Sequence, residues 1–168
     1  PDPETARSIT NGWDERCDRL AKAFWPGPLT LVLDRSMDVP DVASGGRTTI
    51  AVRCPRHPVA RSVLTRFGGP ISAPSANRSG SVSPTTAQHV LEDFTPIDDP
   101  SDLLVLDGGP CDIGIESTVI DLTGEVARVL RPGSISCEQL QDVIGTVHDH
   151  HSVVQGDSPG TRSRHYST

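Results

Sequence analysis

Aromatic side chains make up only 4% of this 168-residue chain, with two Trp, one Tyr and three Phe, which is little from which to build a stacking surface for nucleic-acid bases. Its formal net charge of -7 leaves no broad basic surface to neutralise a phosphate backbone, so any RNA contact is expected to be local and weak. No apolar run approaches the roughly 20 residues that cross a bilayer, and Pro1-Asp2-Pro3-Glu4 has neither the basic nor the apolar stretch of a secretion signal. A cytoplasmic protein with no membrane partner is the expectation. The four cysteines, Cys17, Cys54, Cys111 and Cys137, lie far apart without a C-x-x-C pair, which argues against a metal site or a disulfide framework and for reduced thiols. The G-x-x-x-x-G-K-[ST] phosphate loop, the G-x-S-x-G elbow and the H-E-x-x-H zinc helix are also missing, so no catalytic residue can be named from such patterns.

Hydrophobic residues form 35% of the chain, enough for one core. Cys17, Leu20, Ala21 and Phe24 repeat at i, i+3, i+4, i+7 and predict a first helix over 14–24. Trp25-Pro26-Gly27-Pro28 breaks it, and Leu29 to Leu33 reads as a buried strand. Pro40 to Gly46 reads as a loop and Thr49 to Arg53 as a second strand. Pro58 suits a first helical position, the stripe Ala60, Val63, Leu64 and Phe67 follows, and Gly68-Gly69 ends it. A short strand into Ala73 precedes the polar loop 74–80, and Ser83-Pro84 has the chemistry of a helix start, with Ala87, Val90, Leu91 and Phe94 facing inward. After an acidic loop over 93–102, Leu103 to Leu106, Ser117 to Leu122 and Val126 to Leu130 read as strands, the last two joined at Gly124. Ser136 to Gln139 resembles a capping box opening a last helix through Ile144. Strands alternating with helices give an α/β class, organised as one domain over 1–145 and a linker or tail over 146–168.

Several polar residues fall at the ends of these strands, where open α/β sheets place ligands. Arg53 has a guanidinium that can grip a carboxylate or phosphate, or can form an ordinary surface ion pair; Arg131, before Pro132-Gly133, carries the same ambiguity. Ser75 and Asn77 expose hydroxyl and amide groups in a loop, yet both are common turn residues. Ser83 can cap a helix and still face a nucleotide, because a helix N-terminus favours phosphate. In Gly114-Ile115-Glu116-Ser117-Thr118 the hydroxyls either face a site or simply suit a strand. His148, His150 and His151 read as a solvated segment, and Cys54, without a neighbouring base, as a packed thiol.

Taken in order, the segments F-W-P-G-P-L-T (24–30), T-I-A-V-R (49–53), A-P-S-A-N (73–77), S-P-T (83–85), G-I-E-S-T-V-I (114–120) and L-R-P-G (130–133) resemble the YrdC family of threonylcarbamoyl-AMP synthases. The match runs over nearly all of 13–145, and Ser158 to Tyr166 is similar to the linker of its two-domain members, with Thr161 and Ser163 departing from that pattern. The resemblance implies a twisted, open mixed sheet flanked by helices, with a concave ligand-binding face. It implies that bicarbonate carboxylates the amine of L-threonine and that the carbamate displaces pyrophosphate from ATP, carried with magnesium, for a tRNA-modifying transferase complex downstream. Carried over by position, Arg53, Ala73 and Ser117 would surround threonine, and Thr49, Ser75, Ser83, Arg131 and Tyr166 would contact ATP, with Asn77 and Glu116 supporting the loops.

The family has a T-E-T-x-Y-G-L segment and a K-x-R pair ahead of the helix over 14–24. The sequence has neither, and it has no initiator Met. The expectation is an N-terminally incomplete copy without the second domain, short of positive charge around the phosphates and exposing apolar surface. Competing implications are a carbamoyl-adenylate-forming domain of the hydrogenase-maturation type and a double-stranded RNA or tRNA-binding module.

Overall fold

The computed structural model describes residues 1–94, 103–111 and 116–149. In chain order the elements are α1 (Pro3–Ser8), β1 (Thr10–Asn11), α2 (Glu15–Phe24), β2 (Leu29–Arg35), α3 (Asp41–Ser44), β3 (Thr49–Val52), α4 (Pro58–Phe67), α5 (Ala87–Phe94), β4 (Thr118–Asp121), β5 (Ala127–Arg131), α6 (Cys137–Ile144) and β6 (Val147–His148). The expected mixed sheet is present. Central strand β2 pairs in parallel with β4 and antiparallel with β1 and β3, while β4 runs antiparallel to β5 and β5 parallel to β6.

The two-residue alternation of the strands separates a core face from a polar face. Leu29, Leu31 and Leu33 of β2, Ile120 and Leu122 in and after β4, and Val129 of β5 join Cys17 and Leu20 of α2 and Leu140 of α6 in one buried cluster. Each fully buried leucine of this set contributes roughly 2 kcal/mol of transfer free energy. The opposite face carries Thr30, Ser117 and Arg131 around a small buried patch of Val32, Val119 and Leu130. Helix α2 starts where Asp14 accepts from the N–H groups of Arg16 and Cys17, and α6 where Ser136 and Gln139 complete their capping box.

Several expectations are corrected. The helix over 14–24 is the second one, since Asp2 caps a short α1 before Pro3. The loop over 40–46 contains the helical turn α3, closed by Gly45 at φ 63°. Ser83-Pro84 does not start α5: the Ser83 hydroxyl is bonded elsewhere, Thr86 Oγ1 accepts from the His89 N–H at 3.3 Å, and the helix begins at Ala87. No strand runs into Ala73, where Pro70 removes a donor and no described strand offers an edge. Residues 103–106 keep the period-two alternation of a strand, with Leu104 83% and Leu106 55% exposed, but find no ladder partner. Neither α4 nor α5 contains a buried residue, so their apolar stripes are only partly covered. Val147–His148, in the expected tail, adds a strand to β5. Residues 95–102 of the acidic loop, Gly114-Ile115, His150, His151 and the linker from residue 150 on, with Tyr166, lie outside the described residues.

Candidate functional site

The turn between α2 and β2 sets the scale of the site. Trp25-Pro26 is a cis peptide, and the Trp25 indole N–H donates to the Leu29 carbonyl at 2.7 Å. A Cβ at Gly27 would stand 2.2 Å from the Phe24 carbonyl oxygen, so only glycine fits there. The Gly27 N–H donates to the Cys54 carbonyl at 2.9 Å, and the Thr118 N–H donates to the Pro28 carbonyl at 3.0 Å. This turn is therefore docked between the residue after Arg53 and the residue after Ser117. The W-P-G-P motif acts as a spacer for two candidate ligand-binding side chains.

On the far side, Arg131-Pro132-Gly133 folds back against the entry to β4. A Cβ at Gly133 would lie 2.4 Å from the Thr118 nitrogen and 2.6 Å from the Glu116 oxygen, while Thr118 Oγ1 both donates to the Ile135 carbonyl and accepts from its N–H, at 2.9 and 3.0 Å. That close approach brings the Arg131 guanidinium onto residues 116–117. Its Nε and Nη2 donate to the Ser117 carbonyl at 3.1 and 3.0 Å, Nη2 also donates to Ser117 Oγ at 3.0 Å, and Nη1 pairs with the Glu116 carboxylate. The other Glu116 oxygen accepts from Ser83 Oγ at 3.0 Å, and Ser117 Oγ shares a 2.8 Å hydrogen bond with Thr30 Oγ1. The chain of bonds thus runs Ser83, Glu116, Arg131, Ser117, Thr30. Arg131 is 11% exposed, and every one of its nitrogens has a donor role within the protein.

Arg53 differs. It directly follows β3, and among the described residues it makes no hydrogen bond or ion pair. Arg53 is open to solvent, yet the protein packed around part of it lowers its pKa first, the Arg131 cation adds in the same direction and Glu116 opposes both, so the side chain is an accessible cation in a field that an incoming anion would relieve. Two cations with one internal carboxylate between them suit a carboxylate or phosphate ligand.

The remaining candidates are more dispersed. Thr49 opens β3 and pairs with Asp34, at the end of that strand away from Arg53. Ala73 and Ser75 are exposed on an irregular segment. Asn77 donates to the Arg78 and Ser81 carbonyls at 3.0 and 2.9 Å, which supports the loop as expected, and its buried Oδ1 has no partner. Asn77, Ser81, Ser83, Glu92 and Asp93 line an open cleft next to this loop. The structure thus joins Ser83, Glu116, Arg131 and Ser117 by hydrogen bonds and sets Arg53 in the electrostatic field of that group, while Thr49 stands at the far end of β3. Thr30 is the participant that motif reading passed over, although its lone hydroxyl between Leu29 and Leu31 was a sign that it faces away from the core. Among the described residues there is no cluster of three or more His, Cys, Asp or Glu side chains that could hold a metal, and no helix long and apolar enough to cross a membrane.

Residues 1–133 match the Sua5/YciO/YrdC family model, which bears the description telomere recombination. Threonylcarbamoyl-AMP synthase of Pyrococcus abyssi is 47% identical over 158 residues, covering 91% of this chain and 45% of the relative. The Bacillus subtilis protein of the same name is 41% identical, covering 95% of this chain and 46% of the relative. The chain spans about half the length of these curated relatives. Among solved structures, P. abyssi Sua5 complexed with L-threonine superposes with a TM-score of 0.88 at 43% identity, over 99% of this chain and 49% of that one. Escherichia coli YciO superposes at 0.69 with 25% identity, over 83% of this chain and 66% of that one.

Proposed function

The chain belongs to the Sua5/YciO/YrdC family, and from that premise we propose that it supplies the threonine- and ATP-binding site of a threonylcarbamoyl-AMP synthase. The observation that carries this reading is the Arg53 guanidinium, without a protein partner among the described residues, in the electrostatic field of the Arg131–Glu116 pair that also holds the Ser117 hydroxyl. Arg53 takes the carboxylate of L-threonine in a charge-assisted bond, Ser117 meets its polar atoms, and Ala73 walls the same side. Thr49, Ser75 and Ser83 take the nucleotide, and Tyr166 covers it from the linker. Arg131, whose donors are already engaged, serves the phosphates through its charge.

Bicarbonate and the threonine amine form a carbamate with loss of water. A carbamate oxygen then attacks the α-phosphorus of ATP, the bond from that phosphorus to the bridging oxygen breaks, and pyrophosphate leaves. The protein's share is to hold the two substrates in line and to oppose the negative charge that builds on phosphate. Magnesium would enter with ATP, whose phosphate oxygens bind it, and would neutralise part of their charge. The product passes to a tRNA-modifying transferase complex, and a local, weak RNA contact at that hand-over is compatible with the acidic net charge. Domain organisation follows the same reading, with a catalytic unit that runs through β6 at His148 and a linker beyond it.

The test is pyrophosphate release from ATP by the full-length protein. Release that requires both L-threonine and bicarbonate is the expected result. Release without threonine, or release driven by carbamoyl phosphate, would contradict the assignment.

A further inference from the structure

The hydrogen-bond inventory around Ser117 Oγ is nearly full, and what remains open is informative. A serine hydroxyl has one proton and two acceptor positions. A guanidinium can only donate, so the 3.0 Å bond from Arg131 Nη2 occupies one acceptor position. Thr30 Oγ1 at 2.8 Å occupies a second place, and one of the two hydroxyls must donate to the other. If Thr30 donates, the spare group is the proton of Ser117. If Ser117 donates, the spare groups are an acceptor position on Ser117 and the proton of Thr30.

Burial decides between these states. Ser117 is 7% exposed, whereas Thr30 is only half-buried. A buried donor without a partner is the rarer and costlier defect, while an acceptor with an unused lone pair is better tolerated. The proton without a partner therefore belongs on Thr30, nearer to water, and Ser117 donates to it. We infer that Thr30 is a positioning residue that holds Ser117 Oγ as a hydrogen-bond acceptor for the amino group of the amino-acid ligand. The inference rests on the proposed binding of threonine at Arg53 and Ser117, and it assigns the ends of the ligand: carboxylate toward Arg53, amine toward Ser117. Bonding the amino group through an N–H leaves another of its protons free to pass to solvent, and the nitrogen lone pair so released is available for the carboxylation step. The Leu29–Thr118 register supports the pair, because β2 and β4 run in parallel there and present Thr30 and Ser117 on one face.

Calorimetric titration of the full-length protein and its Thr30→Val and Thr30→Ser variants tests this, using L-threonine, ATP and 2,3-dihydroxybutanoate, the analogue in which a hydroxyl replaces the amine. In Thr30→Val the Ser117 proton has no acceptor and turns toward the ligand amine, so threonine affinity falls about tenfold with ATP affinity unchanged. Thr30→Ser restores it. The loss is smaller for 2,3-dihydroxybutanoate, whose hydroxyl can accept as well as donate. Wild-type affinity for threonine in Thr30→Val, or an equal loss for both ligands, overturns the positioning role alone. Failure of the unmutated protein to bind threonine overturns the proposed function as well.

Discussion

The two parts of this molecule are built to different standards. Around β2, β4 and β5, leucines at 0–1% exposure pack under α2 and α6, and the turns at Gly27 and Gly133 admit no side chain. From α4 through α5 and residues 103–111, no helix buries a residue, and Phe67, Ile71, Leu91, Leu104 and Leu106 are all exposed. Candidate ligand groups occur in both parts. Ser117 and Arg131 stand on the well-packed part and are held by bonds to each other and to their neighbours, and Arg53 follows β3 on the same sheet; Ala73 and Ser75 stand on the sparse part with none described. Rigid placement of one set of groups and loose placement of the other follows from where the core is, since a side chain is only as fixed as the backbone beneath it.

The largest effect should come from the core. Leu20→Ala, at a site with no exposed surface, is expected to cost about 2–5 kcal/mol in urea denaturation, whereas Phe67→Ala, 67% exposed on α4, should cost less than about 0.5 kcal/mol. Comparable losses would mean that α4 is packed as well as α2 and would erase the contrast. The two glycines give a finer version. Gly133→Ala forces a methyl against the Thr118 nitrogen and should cost about 1–3 kcal/mol, while Gly69→Ala meets nothing closer than the Phe67 ring at 3.7 Å and should be neutral within about 0.5 kcal/mol. A neutral Gly133→Ala would show that the Arg131 turn is not clamped to β4.

The smallest effect is electrostatic and sharpens the account of the packed part. Burial alone would raise the Asp14 carboxyl, but the Arg16 side chain, the Cys17 N–H and the Arg16 N–H outweigh it and hold it below the ordinary aspartate range. A depressed folded-state value means that this stabilisation is present above the unfolded pKa of about 3.9 and is lost as pH falls through the folded value. Asp14→Asn, which keeps a capping oxygen and removes the charge, should therefore lower stability by about 1 kcal/mol at neutral pH, with the gap from the unmutated chain closing in acid. A gap independent of pH would assign the effect to cap geometry instead of charge.

How much of this was legible depended on whether a local signal met a local partner. Asp14 and Ser136 were read as helix starts and are, because their acceptors find N–H groups two or three residues on. The aspartate and serine before Pro3 and Pro84 carry the same cap-then-proline signature with opposite outcomes. Asp2 caps α1, but Ser83 gives its hydroxyl to Glu116, thirty-three residues away, and Thr86 takes over the cap. Apolar, β-favouring runs placed β2, β4 and β5 correctly because each finds a neighbour; the similar run over 103–106 does not become a strand without one among the described residues. In the site, Arg53, Ser117 and Arg131 were nameable from strand ends and motif resemblance. That Arg131 is spent on internal bonds, Arg53 is not, and Thr30 completes the set depends on distances that no pattern in the chain encodes.

The measurement that bears most directly on the central claim is calorimetric titration of Arg53→Ala in the full-length protein with L-threonine and, separately, with ATP. Removing the one site arginine that lacks a described protein partner should weaken threonine binding about a hundredfold, as expected for loss of a charge-assisted contact, and leave ATP binding nearly unchanged. Equal weakening of both ligands, or no change in threonine affinity, would contradict the account.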